Sequence, residues 1–195
     1  MPLVITMFDN VKSDVNRYIK TEEVSRFRDM IGLLFFNQSL WVILSYRFGR
    51  YIRIRFNIPI IKLMLKISTR IFHEMLCLLT GIQISFETKI GPGLYIGHNG
   101  MLIINSHAII GANCNIGAGV VIGQGGRGEK KGSPVIGDFV YIGVGAKIIG
   151  NIRIGDNVAI GANAVVTKDV PSNTTVAGVP AKIINHLGSK DFIKY

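Results

Sequence analysis

The sequence predicts a mostly β protein, a parallel β-helix of six-residue repeats carried behind an N-terminal α-helical segment. Three observations predict it. Aliphatic residues recur in steps of six: Ile90, Ile96 and Leu102, then Ile104, Ile110, Ile116 and Ile122, then Ile136, Ile142, Ile148, Ile154, Ile160 and Val166. A glycine follows many of them, at Gly91, Gly97, Gly111, Gly117, Gly123, Gly137, Gly143, Gly155 and Gly161. Of the 23 glycines, only Gly32 and Gly49 fall in residues 1–80, so the chain changes character near residue 81. A fixed short period is the signature of a repeat architecture, and six fits neither the helical period nor simple strand alternation.

The period fits a short strand and a corner, three to a coil. Each aliphatic residue points into the prism and stacks on its equivalent one coil away, burying a column that no single repeat could bury. The position behind it lies at the bend. Glycine is expected there for its backbone freedom, positive φ included.

Residues 1–80 read as helical. Asp9–Arg28 carries spaced Val11, Val15, Ile19 and Val24. Leu33–Phe56 carries Leu40, Ile43, Leu44, Phe48, Tyr51 and Ile52 on one stripe, with Arg47, Arg50 and Arg55 interleaved. A third helix is expected from Pro59, tolerated in a first turn, to Thr80, with Gly81 as its C-terminal cap. The β-helix then runs over 81–185 and a tail over 186–195. Its register slips twice, by two residues just after His98 and again between Ile122 and Ile136. The second slip holds the polar, basic, glycine-rich run 124–133, expected as a loop extruded from the prism, where binding tends to sit.

The net charge is +10, and Arg47 to Arg70 holds seven basic side chains and no acidic one. That suits an anionic substrate, a phosphate-rich cofactor or the inner face of a membrane. No nucleic-acid motif accompanies the charge. Cys77 and Cys114 form neither a disulfide framework nor a metal spacing. No cleavable leader is evident in Met1–Asn10, so a cytoplasmic setting is the expectation. No stretch of the helical segment reads as a membrane span, although an amphipathic helix resting on a membrane is compatible with it. Of the four histidines, His73 reads as structural, His186 as solvated and His107 as mostly structural. His98 stands apart, between Gly97 and Gly100 beside the first slip.

The stretches GHNGMLIINSHAIIG (97–111), VIGQGGRGEKKGSPVIGD (121–138), VGAKIIGNIRIGDNVAIGANAVVTKDVP (144–171) and AGVPAKII (177–184) carry a resemblance in that order. The chain resembles the hexapeptide-repeat acyltransferases, which fold as left-handed parallel β-helices, and among them the serine acetyltransferase branch. The resemblance implies acetyl-CoA as co-substrate, no metal, and a homotrimer. It implies His98 as general base, since an imidazole with pKa near ambient can take a hydroxyl proton as the C–O bond forms. Backbone N–H groups near Gly123–Gly126 are candidates for the oxyanion. Gly125, Val144 and Ala162 match positions lining the pantetheine arm, with Gly126 beside them. Lys168 and Lys182 match phosphate contacts, and Arg127, Lys130 and Lys131 extend that set from the loop. Asn99, Arg127 and Ser133 are candidate acceptor contacts.

The sequence departs from that branch at charged positions. Gly97 stands where the branch has an aspartate before its histidine, Gln83 where another aspartate pairs with that histidine, and Gly132 and Ser133 where an Arg-His pair precedes a proline. Gln83 is the candidate to fix the His98 tautomer. Losing partners for a zwitterion argues against serine. The expectation is therefore acetyl transfer to a sugar hydroxyl of a surface polysaccharide or its precursor. Serine O-acetylation and a non-catalytic assembly platform are the alternatives.

Overall fold

The computed structural model describes residues 7–55, 57–128 and 131–194, and within them four helices precede a parallel β-solenoid. The helices are α1 (Met7–Thr21), α2 (Phe27–Phe36), α3 (Gln38–Arg55) and α4 (Pro59–Thr80). α4 begins and ends as its sequence signals require. Pro59 sits in its first turn, and Gly81 caps it with φ +71°, its N–H donating to the Cys77 carbonyl at 2.9 Å.

Two of the helix limits expected from sequence are wrong. The first helix stops at Thr21, and the chain turns through Glu23 at φ +54°. The apolar run expected as one helix over Leu33–Phe56 is broken at Asn37, where α2 and α3 diverge by 68°. The cause is a cap inside the run: Asn37 has extended backbone, and its Oδ1 accepts the N–H of Leu40 at 2.9 Å. An asparagine that satisfies an N3 donor starts a new helix even where hydrophobicity is continuous.

The solenoid follows in chain order. The first coil is β1 (Ile82–Ile84), β2 (Lys89–Ile90) and β3 (Tyr95–Ile96), and the second is β4 (Leu102–Ile104), β5 (Ile109–Ile110) and β6 (Asn115–Ile116). The third is β7 (Val121–Gly123), β8 (Val135–Ile136) and β9 (Tyr141–Ile142), and the fourth β10 (Lys147–Ile149), β11 (Arg153–Ile154) and β12 (Ala159–Ile160). The last comprises β13 (Val165–Val166), a bridge from Val170 to Ile154, and β14 (Thr175–Ala177), against which β15 (Lys182–Asn185) returns antiparallel. Stacking gives three parallel faces, β1-β4-β7-β10-β13, β2-β5-β8-β11 and β3-β6-β9-β12-β14. This is the expected left-handed β-helix of about five turns.

Every aliphatic residue of the six-step pattern is buried. One face contributes Ile84, Ile104, Ile122, Ile148 and Val166, and another Ile96, Ile116, Ile142, Ile160 and Val176, with Ile90 the most accessible of the whole set at 8%. Cys114 fills the column Leu94–Cys114–Val140–Val158, and burial pushes its thiol up to about 12.

The repeat glycines are needed for a different reason from the one expected. Positive φ falls instead on corner residues such as Asn113, Phe139, Asn157, Asn163 and Asn173. At Gly117 a Cβ would lie 2.7 Å from the Val144 nitrogen, and at Gly143 2.7 Å from the Ala162 nitrogen, each on the next coil. The requirement is close approach between coils, which only an absent Cβ allows.

The helices cap the first coil through buried polar contacts. Arg47 pairs with Asp14 (Nε to Oδ2, 2.8 Å) and donates to the carbonyls of Ile90 and Gly91. Asp14 also accepts the N–H groups of Gly93 and Leu94. Burial pushes the Asp14 carboxyl up from its ordinary value, against the opposing pull of the Arg47 guanidinium. Asp14 and Arg47 thus both meet partners on leaving water, as their burial requires. The tail also docks: Phe192 stacks on Tyr141 with ring centroids 4.7 Å apart, and Ile193 is buried.

Candidate active site

The first register slip is a widened corner. Register places Ile96 beside Ile116 and Ile103 beside Val121, so six residues (97–102) span a corner that the next coil makes with four (117–120). The two extra residues push the corner outward, with Gly100 at φ +116° and Met101 at φ +42°. His98 sits on this protrusion and is exposed. Among the described residues no hydrogen bond holds its ring.

The corner is braced from beneath and beside. The buried Tyr18 hydroxyl donates to the Ile96 carbonyl and accepts the Ile96 N–H, both at 3.1 Å. Asn99 is engaged by the start of α3. Its Oδ1 accepts from Ser39 Oγ at 2.6 Å and its Nδ2 donates to Gln38 Oε1 at 2.7 Å. These bonds tether the corner to α3, and they leave the Asn99 amide one further lone pair and one further N–H for an acceptor. Tyr18, Gln38 and Ser39 were not singled out from sequence, since partners 60 or more residues apart leave no local pattern.

Stacking brings other candidates into line with His98. The pairings Ile96–Ile116–Ile142–Ile160–Val176 place His98, Ala118, Val144, Ala162 and Gly178 at one position on successive coils. These residues form a column down one edge of the prism. At about 4.8 Å per coil, His98 and Ala162 are separated by about 14 Å. Below His98 every side chain in the column is small or short, and Val144 and Ala162 are exposed. Lys147 extends its ammonium to the carbonyls of Gly119 (2.5 Å) and Gly145 (2.9 Å) beside the same edge. Ala118, Gly178 and Lys147 are additions that only the register reveals.

Other sequence candidates lie elsewhere. The loop 124–133 leaves at the far edge of the face β1-β4-β7-β10-β13 and closes as a hairpin, with Gly125 and Gly132 exchanging N–H···O bonds of 3.0 Å. A Cβ on Gly125 would touch Ile149 at 2.9 Å, so the loop's root lies against the next coil. Gly126 and Arg127 are exposed on this hairpin, as is Lys131, while Lys130 lies outside the described residues. Lys168 follows the end of β13 at that far edge, whereas Lys182, paired with Ala177, lies on the His98 side. One chain thus keeps Gly125, Gly126, Arg127 and Lys168 across a face from His98. Ser133 turns to the neighbouring coil, where its Oγ donates to Asn105 Oδ1 at 2.9 Å, which satisfies it without an acceptor molecule.

Gln83 is exposed on the outer side of β1 and lines a groove with Arg70, His73, Glu74 and Ile103. Gly81, two residues earlier, lies against Gly100 and Met101, so α4 and β1 meet the His98 corner. No hydrogen bond joins Gln83 to His98 among the described residues. His73 in that groove is structural, bonded to the Ile84 carbonyl at 2.7 Å and Ser45 Oγ at 2.6 Å. Burial, the largest influence on it, lowers its pKa.

The fold has known counterparts. Residues 133–168 match the family model of the bacterial transferase hexapeptide (six repeats). The particular relatives are serine acetyltransferases. That of Synechococcus elongatus is 40% identical over 124 residues, covering 64% of this chain and 51% of that protein. That of Staphylococcus epidermidis is 42% identical over 124 residues, covering 64% of this chain and 58% of that protein. The chain thus spans about half the length of the curated relatives it matches.

Among solved structures, the Brucella abortus serine acetyltransferase in complex with coenzyme A superposes with a TM-score of 0.77 at 28% identity, over 93% of this chain and 68% of that one. The Neisseria gonorrhoeae serine acetyltransferase in complex with serine gives 0.74 at 27% identity, over 91% and 69%. These relatives overturn the expectation of a polysaccharide acceptor. Missing charges at four positions argued for an uncharged acceptor, but the relatives at 40% and 42% identity over 124 residues are serine acetyltransferases.

Proposed function

We propose that this chain is an acetyl-CoA-dependent O-acetyltransferase whose acceptor is the hydroxyl of L-serine. The observation that carries the reading is the edge column. An exposed imidazole stands at its head, and small side chains run below it for about three coil spacings, roughly 14 Å. A thin, flexible thioester arm can lie along such an edge with its acyl end at His98. Serine as acceptor rests on the names of the relatives.

In the proposed reaction, His98 takes the proton from the serine hydroxyl as its oxygen attacks the thioester carbonyl. Backbone N–H groups of the glycine-rich loop near Gly126, contributed by a neighbouring subunit, stabilise the oxyanion. The intermediate collapses with loss of the CoA thiolate, which receives the proton from His98. No covalent enzyme intermediate forms. Gln83 is the candidate to meet the imidazole once substrate is bound, and Lys168 and Lys182 meet phosphates as point charges.

We further propose a homotrimer. The loop glycines and Arg127 lie across a face from His98 within one chain, and a cyclic neighbour brings one edge against the other. The reaction is assigned to the cytoplasm, where acetyl-CoA is available.

The test is thiol release from acetyl-CoA with L-serine as acceptor. His98→Ala is expected to lower kcat by about 10²–10⁴-fold, the usual contribution of a general base, while CoA binding persists. An undiminished rate in that variant, or faster turnover on an uncharged alcohol than on L-serine, would overturn the base or the acceptor respectively. Tight CoA binding with no turnover on any hydroxyl compound would favour an assembly platform.

A further inference from the structure

His98 stands on a corner two residues longer than the one stacked on it. Added length gives a loop more conformations to lose. A general base, however, works only within hydrogen-bond reach of its proton, about 2.6–3.2 Å. The base's corner therefore has to be held, and the helices hold it on both sides of the imidazole. Before it, the buried Tyr18 hydroxyl of α1 bonds both the N–H and the carbonyl of Ile96. After it, the first turn of α3 grips the side chain of Asn99.

The second grip is the specific one. Ser39 is buried at 3% exposure, and a hydroxyl out of water needs a partner. It spends its hydrogen on Asn99 Oδ1 at 2.6 Å, while Gln38 Oε1 accepts the Asn99 Nδ2–H at 2.7 Å. The break in the apolar run at Asn37 makes this possible, because it starts α3 at Gln38 and so puts both side chains in a first turn. Gln38 and Asn99 are exposed, and a bond between exposed amides adds little to stability. What it fixes is the place of the residue next to His98.

We propose that Ser39 and Gln38 are positioning residues for acetyl transfer. Through the Asn99 amide they hold His98 where its imidazole reaches the acceptor hydroxyl. The proposal rests on His98 as the general base.

The test is thiol release from acetyl-CoA with L-serine, read together with hydrogen exchange of the backbone at 98–101. The variant is Ser39→Ala with Gln38→Leu, which leaves Asn99 in place with any contact it makes to the acceptor. Its kcat is expected to fall by about 10–100-fold, the scale of a base displaced by up to roughly 1 Å. KM for acetyl-CoA should stay unchanged, and exchange at 98–101 should quicken while β7 and β10 keep their protection. Gln38→Glu still accepts the Asn99 N–H and suits a first helical turn. Alone it should keep the parent kcat, where Gln38→Leu alone lowers it, and this exposed pair decides the matter if Ser39→Ala loosens β7 and β10. Unchanged exchange at 98–101 would overturn the proposal, as would faster exchange with kcat intact, or an equal loss in Gln38→Glu and Gln38→Leu. If His98→Ala turns over as fast as the parent, the base reading fails and this proposal with it. If His98→Ala is slow and the double variant is not, this proposal alone fails.

Discussion

At the residue scale, Gly97 is the telling position. Of the repeat glycines on its edge it alone has room. A Cβ there would meet only the Tyr95 ring edge at 3.5 Å, an ordinary contact, whereas Gly143 faces the Ala162 backbone at 2.7 Å. Gly97→Asp is therefore expected to fold with the stability of the parent, and to raise kcat/KM on L-serine by supplying an anion beside the acceptor ammonium. Gly143→Ala should destabilise by about 1–3 kcal/mol, the usual cost of overpacking. Denaturant midpoints of the two variants separate them. The pattern of aliphatic then glycine was visible in the sequence at both positions. The difference in need was not, because it depends on which backbone passes one coil later or fails to.

At the scale of elements, two junctions carry further expectations, the first of them α3–α4–β1. His73 is buried and bonded to both neighbours, with its pKa held below the ordinary 6.5. The unfolded chain then binds a proton that the folded chain resists. Its contribution to stability is complete above pH 6.5 and declines as pH falls through the folded-state pKa. Thermal unfolding across that window should show the loss, and His73→Gln should flatten the profile. At the other junction, Asn37→Ala removes the cap between α2 and α3 and is expected to cost about 1 kcal/mol. Asn37 was legible in the sequence as a polar residue in an apolar run, but apolar periodicity alone reads straight through it. A cap is recognised only when its side chain is seen to meet a backbone donor.

At the scale of the whole molecule, the helices are fixed to the solenoid by polar groups removed from water. Asp14 and Arg47 are both buried, 33 residues apart, with carbonyls and N–H groups of the first coil completing their shell. Arg47→Met leaves the Asp14 carboxylate without its cation and is expected to destabilise by about 3–5 kcal/mol, measured by denaturant unfolding. The basic run from Arg47 to Arg70 is thus divided by the fold. Arg47 is structural, Arg50 donates to the Phe86 and Thr88 carbonyls, and Arg53 lies 3.8 Å from the Phe86 ring centroid. Lys62 and Lys66 are left for the surface. Composition counts those charges alike, and only packing tells them apart.

The six-step spacing of aliphatics was enough, by itself, to determine the solenoid and its core, because each residue's burial follows from its phase within a repeat. The glycine partition likewise marked where helix gives way to coil. What the tertiary structure alone decided is which repeats share an edge. Successive partners on one face lie 20, 18, 26 and 18 residues apart, from Ile84 to Ile104, Ile122, Ile148 and Val166. That uneven spacing hides the alignment of His98 with Val144 and Ala162, and the separation of both from the loop at Gly125. The reason is physical: phase within a repeat is a local property of the chain, whereas the edge column is made by hydrogen bonds between coils, and these depend on every insertion in between.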